Sequence, residues 1–146
     1  MCVKLVDMEL SRAFEAARAT NQSVLTTIRK NGLPQLSNVL HHADAEGVIR
    51  ISTPANRAKH VNVTRRPWAA LKVDGRNFRS YAVLEGDVEV SKVAATPDDE
   101  AVEELITLYR DLTGEHPDWD EYRTAMVTDR RVVLWLRPNR AYGRLR

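Results

Sequence analysis

The chain has 146 residues, 43% hydrophobic and 29% charged, the proportions of a globular protein that buries about two-thirds of its unfolded surface as one domain over 1–146. A net charge of +2 is too small to argue for nucleic acid, and the lone cysteine, Cys2, leaves no disulfide framework and no cysteine-based metal site. Asp7 and Glu9 interrupt the first apolar run, and none reaches the roughly 20 residues that span a bilayer, so neither a signal peptide nor a membrane segment is expected and a cytoplasmic setting follows.

Residues 7–20 read as a helix with Met8, Phe14 and Ala17 near one face. Residues 23–29 are β-branched and apolar, and the Asn31-Gly32 pair after them marks a turn into a second strand at 36–42, so the two form a hairpin. A turn at 44–47 leads to a third strand at 48–53. Residues 56–65 then read as a short helix with Asn56 as its cap and Pro67 marking its end. A strand at 68–74, a turn at 74–77 and a long strand at 80–91, bent at Gly86, come next. Thr96-Pro97-Asp98-Asp99 is a helix start, and Val102, Leu105, Ile106, Tyr109 and Leu112 keep helical spacing until Gly114. Asp118 opens another helix with Trp119, Tyr122 and Met126 on its inner face, and 132–136 closes the chain as a strand. Tyr109, Trp119 and Tyr122 read as core.

The sum is α+β: about six antiparallel strands in a barrel-like sheet, with peripheral helices. A barrel of six short strands is too small to enclose a cofactor. A ligand is therefore expected outside it, in a groove that a second subunit completes.

The stretch from Ser52 to Asn62 carries the most chemistry. It runs from a strand end through a turn into a helix whose first turn holds Arg57 and Lys59. Cations there oppose the helix dipole by about 0.3–1 kcal/mol each, whereas the two capped helices that follow begin with acids, Asp98 and Asp99 in one and Asp120 and Glu121 in the other. Backbone N–H groups, the dipole and two cations would suit an anion, with Ser52 and Thr53 adding hydroxyls; two solvated surface cations are the other reading. Gln35, Ser37 and Asn38 pose a second question. By the strand period of two, Gln35 and Ser37 share one face and Asn38 the other, and such amides would either read the edges of a flavin-like ring or belong to the local turn. His41 and His42 point opposite ways with no further ligand at metal spacing, so they read as surface residues; His60 reads as solvated and His116 as structural. No metal site is expected.

Four motifs stand in order along the chain: Gly-x-Pro-Gln-x-Ser-Asn at 32–38, Arg-Ala-Lys-x-x-Asn at 57–62, Ser-Tyr-Ala-Val-x-Glu-Gly at 80–86 and Met-Val-Thr-Asp-Arg-Arg at 126–131. Together they resemble the pyridoxamine 5′-phosphate oxidase-like superfamily, and within it the actinobacterial deazaflavin-dependent oxidoreductases. The resemblance implies an FMN-binding split β-barrel, a homodimer, and a cofactor held between subunits with its phosphate on Arg57 and Lys59. It puts Gln35, Ser37 and Asn38 near the ring or its ribityl chain, and Ser52 and Thr53 near the chain and phosphate. Asn62 and Lys72 are further cofactor candidates, while Phe78 and Tyr81 would cover the ring or substrate from the neighbouring subunit. Arg76 and Arg79 stand where related chains often carry an aromatic. The implied activity is hydride transfer between coenzyme F-420 and an electron-poor small molecule. The alternatives are an FMN-dependent enzyme of the same fold and a binding protein without turnover. Arg65, Arg66, Arg130 and Arg131 are candidates for the anionic tail of the longer cofactor.

Overall fold

The computed structural model describes residues 8–146; Asp7, the first residue of the predicted N-terminal helix, and Cys2 lie outside the described residues. Helix α1 (Leu10–Arg18) leads into the hairpin of β1 (Gln22–Ile28) and β2 (Pro34–Leu40), then the short pair β3 (His42–Ala43) and β4 (Ile49–Pro54). Helix α2 (Ala58–Arg65) follows, then β5 (Trp68–Asp74), β6 (Tyr81–Val90), the helices α3 (Glu100–Thr113) and α4 (Trp119–Thr128), and β7 (Arg131–Arg144). The seven strands form one curled antiparallel sheet in the order β2-β1-β5-β6-β7-β4-β3, the half-barrel of an α+β split barrel.

Two apolar clusters hold it together. Inside the curl, Leu25, Ile49, Ile51, Leu71, Leu84, Leu134 and Leu136 pack together, and α1 closes one side with Ala13 and Ala17, small enough to seat the helix against the sheet. Outside it, Val102, Leu105, Ile106 and Leu108 of α3 pack with Met126 of α4 on Val133 of β7. The helical spacing read from sequence is thus the spacing of this second core.

Six expectations change. The returning strand breaks at His41, making seven strands instead of six. His41 is fully buried, not at the surface: its Nδ1 accepts from the Ser23 hydroxyl at 2.7 Å and its Nε2 donates to the Ala17 carbonyl at 2.8 Å. Burial holds its pKa below the usual histidine value, with help from neighbouring His42. The last strand runs to Arg144, far past 136, and passes through Pro138. That proline sits opposite Gly86, where the register shifts between Glu85 and Gly86 and a side chain on Gly86 would lie 2.2 Å from the Arg137 carbonyl. The bulge explains both the bend expected at Gly86 and how a strand admits proline.

Helix α3 begins at Glu100, four residues after Thr96, because the Asp99 carboxylate accepts from the N–H groups of Ala95, Thr96 and Val102. Helix α2 begins at Ala58, so Asn56 is not its cap. That position belongs to Arg57, extended and making no side-chain capping bond. His60, read as solvated, is half-buried and its Nδ1 meets the Ala55 carbonyl at 2.6 Å.

Candidate functional site

The end of β4 and the start of β7 fix the approach to α2. Thr53 pairs with Val132 and Pro54 with Arg131, the Ala55 N–H donates to the Arg130 carbonyl at 2.9 Å, and the Arg57 N–H donates to the Pro54 carbonyl at 3.2 Å. This register brings Arg57, Lys59 and Arg131 to one groove of about 510 Å³. Its sheet side carries Asn38, Ser52 and Thr53, and its helical side carries Leu105, Leu108, Tyr109 and Leu112 of α3 with Tyr122 and Met126 of α4. No Asp or Glu lines it.

The electrostatics are lopsided. Arg131 donates from Nη1 to Ser52 Oγ at 3.2 Å, and its Nε lies 3.7 Å from Asp129 Oδ2, too far for a hydrogen bond, so that buried donor lacks an acceptor. Arg57 and Lys59 have no carboxylate partner among the described residues. The Lys59 ammonium is pushed below its ordinary pKa by partial burial, then by the positive charges of Arg57 and Arg131. Three cations therefore line a space that holds none of the chain's own carboxylates. A phosphate, with charge and several acceptor oxygens, fits that donor set.

Not every residue singled out from sequence meets this groove. Asn38 does, from the outer face of β2. Gln35 and Ser37 lie on the inner face, opposite Thr27 and Leu25. Asn62 is buried and committed, its Nδ2 donating to Thr27 Oγ1 at 3.0 Å and Gln35 Oε1 at 3.2 Å while its Oδ1 accepts from Arg65. Ser52 lines the groove beside Arg131; Thr53 lines it too, but its hydroxyl is turned to the Pro54 carbonyl. Lys72 pairs with Asp74 in an adjoining groove of about 460 Å³, and Asn38 borders both spaces. Phe78, 98% exposed in the turn before β6, and Tyr81, the first residue of β6, line neither.

Two features went unread in the sequence. Arg131 belongs to the cation cluster itself and not only to its surroundings; the signal was its place at the start of the strand that pairs with β4. The helical wall was read only as core. Tyr109, His116, Trp119 and Tyr122 do pack edge-on and tilted, with centroids 5.0–5.7 Å apart. Tyr122 also donates to the Leu105 carbonyl at 3.0 Å, and burial pushes its pKa up to about 12, so it stays neutral while lining the groove. A smaller space of about 380 Å³ shares Pro54, Arg57 and Arg131 with the groove and reaches Asn56, Asp129 and Arg130. Arg65 is instead tied to the Ile28 carbonyl at 2.7 Å. Among the described residues no three His, Cys, Asp or Glu gather to hold a metal, and no helix is long and apolar enough to cross a membrane.

Comparison with known proteins agrees with this architecture. The sequence profile of the family described as pyridoxamine 5′-phosphate oxidase matches residues 10–144. Among solved structures, one named F420 reductase is 23% identical with a TM-score of 0.63, the match covering 87% of this chain and 94% of that one. A conserved hypothetical protein from Mycobacterium tuberculosis is 20% identical with a TM-score of 0.68 over 98% and 89% of the two chains. A pyridoxamine 5′-phosphate oxidase-related, FMN binding protein from Nostoc punctiforme is 17% identical with a TM-score of 0.59 over 90% and 78%. At these identities the likeness is one of fold.

Proposed function

Because the chain belongs to the pyridoxamine 5′-phosphate oxidase family, we propose that it is an oxidoreductase moving a hydride between coenzyme F-420 and an electron-poor organic molecule. The observation that carries this reading is the cluster of Arg57, Lys59 and Arg131 around a groove without a carboxylate. In the proposed complex Arg57 and Lys59 hold the phosphate, and Arg131 adds a third positive charge beside it. Asn38, at the junction of two grooves, guides the cofactor along the outer face of β2 toward Lys72. The bound deazaflavin supplies the hydride; the chain orients it and keeps water from one side with the α3–α4 wall. No side chain has to form a covalent bond.

Two further features belong to the proposal. A homodimer would cover the open side, for which the outer face of the edge strand β2 offers Leu36 and Leu40, and the turn before β6 offers Phe78, all exposed. The choice of the longer cofactor over FMN rests on charge beyond the phosphate. FMN ends at its phosphate, whereas coenzyme F-420 continues into a chain of carboxylates, and Arg130 extends the cation track away from Arg57 and Arg131. The structural likeness to an F420 reductase leans the same way. Fluorescence titration with both cofactors tests the reading. Coenzyme F-420 is expected to bind at least tenfold more tightly, about 1.4 kcal/mol, with added salt eroding part of the difference. Equal affinities, or tighter FMN, would make the protein a flavin-dependent member of the family instead.

A further inference from the structure

We infer that Ser52 is a positioning residue: its hydroxyl holds the Arg131 guanidinium at the groove without neutralising it, so that the charge stays available to an anion. The inference rests on the reading of Arg57, Lys59 and Arg131 as an anion site, and adds what keeps the third cation in place. Three observations carry it.

First, the tether is single. Arg131 donates from Nη1 to Ser52 Oγ at 3.2 Å, and among the described residues its side chain makes no other hydrogen bond. Its Nε lies 3.7 Å from Asp129 Oδ2, beyond hydrogen-bond reach. Strand register explains the meeting. Ser52 pairs with Val133 and Pro54 with Arg131, so Ser52 and Arg131 are diagonal neighbours on the face that packs against α3 and α4. Second, the same face of β4 carries the opposite solution two residues away. Arg50 pairs with the Asp111 carboxylate of α3, His42 lies 3.8 Å from the same oxygen, and these three line a different cavity of about 770 Å³. A carboxylate holds an arginine and takes up its charge, whereas a hydroxyl holds it and leaves the charge whole. Third, the Arg131 charge is felt across the groove. After burial and Arg57, it helps push the Lys59 ammonium below its ordinary pKa. Three like charges repel one another, and a long arginine without a tether turns away into water. Holding it beforehand removes part of the ordering that binding would otherwise require.

Calorimetric titration of the full-length chain with inorganic phosphate tests this, with denaturant unfolding followed alongside. Ser52→Ala is expected to weaken phosphate binding about three- to tenfold, the worth of one hydrogen bond, and Ser52→Thr, which keeps the hydroxyl, to bind within about twofold of the parent. Ser52→Asp should lose more than Ser52→Ala although it gives Arg131 a stronger anchor, because that anchor takes up the charge. It should unfold no more easily than Ser52→Ala, so the greater loss of binding is not a loss of fold. The decisive reading is a cycle with Arg131→Ala, in which background Ser52→Ala should cost nothing further. An equal cost with and without Arg131 would mean that the hydroxyl meets the anion itself. Equal binding by the parent and Ser52→Ala would mean that Arg131 needs no tether. Either result overturns the inference alone. Failure of the parent to bind phosphate falls on the anion site, and the inference goes with it.

Discussion

Helices α3 and α4 begin on aspartates: the Asp99 carboxylate takes the Val102 N–H and the Asp118 carboxylate takes the Glu121 N–H, with more acids in each first turn. Helix α2 begins on Arg57, with no side-chain cap, no acid in its first turn, and Lys59 at its second position. All three face the same physical problem, several backbone N–H groups without intrahelical partners at the positive end of a dipole. A side chain answers it at α3 and α4; none does at α2, whose start adjoins the groove, or at α1, where Glu9 makes no capping bond. What sets α2 apart is that its open end carries Arg57 and Lys59 and borders the groove, where the proposed phosphate would supply the acceptor.

The largest expected effect breaks the α2 side of this contrast. Lys59→Ala should weaken cofactor binding by about 1.5–3 kcal/mol, the worth of a charge-assisted hydrogen bond to phosphate, and Arg57→Ala should do likewise. The ligand-free variants should unfold no more easily than the parent, and slightly less so, since neither side chain holds the fold together and each opposes the helix dipole. Unaltered affinity in either variant would put the phosphate elsewhere.

Next in size is the mirror experiment on α3. Asp99→Ala removes the acceptor of three N–H groups and should cost about 1–2 kcal/mol in denaturant unfolding while leaving phosphate affinity intact. A loss of binding with no loss of stability would reverse the roles assigned to the two helices.

A smaller effect sharpens the dipole argument. Lys59→Glu places an acid where α3 and α4 have theirs and beside Arg57 and Arg131, so the ligand-free protein should gain about 0.3–1 kcal/mol as it loses its anion. High salt should shrink the gain.

The smallest effect is a fraction of a proton. Lys59 is held below its ordinary pKa by burial and by Arg57 and Arg131, and a bound anion would raise it again. Between the lowered and the raised value the complex is protonated where the ligand-free groove is not, so phosphate binding should take up protons in alkaline solution, where the second ionisation of a phosphate, at about pH 6, is already complete. Calorimetry in two buffers of different ionisation heat reads this directly. No uptake at any alkaline pH would separate Lys59 from the anion.

Local grammar made much of this legible. Strand β5 has its expected limits of 68 and 74 because alternation and a following Gly75 turn bound it on chemical grounds. The Asn31-Gly32 turn fixed the first hairpin, with Gly32 at φ +84°, where glycine alone is unstrained. The cations at α2 stood out because they break a rule that α3 and α4 keep. What could not be read was long-range partnership. Asn62 looks like a site residue in a motif, yet its partners Thr27 and Gln35 lie 35 and 27 positions away and hold it inside. His41 likewise is buried only because Ser23 and Ala17 come to meet it. Residues 137–144 resisted because Pro138 and three arginines argue against a strand until Gly86 is seen opposite. The apolar stripe of α3 reveals its period but not that one end of it borders a groove.

The place of β7 has a consequence for how the molecule is made. It follows every other strand in the chain, yet in the sheet it lies between β6 and β4. Until it emerges, the meander β2-β1-β5-β6 and the small pair β3-β4 each present an unpaired edge, and nothing joins them into one sheet. Thr53 and Pro54, which aim α2, wait for Val132 and Arg131, and Arg131 is itself the third cation of the groove. The groove with its three cations is therefore among the last things a growing chain can assemble, and it depends on contacts some 80 residues apart, a span that slows folding and prolongs the exposure of open edges.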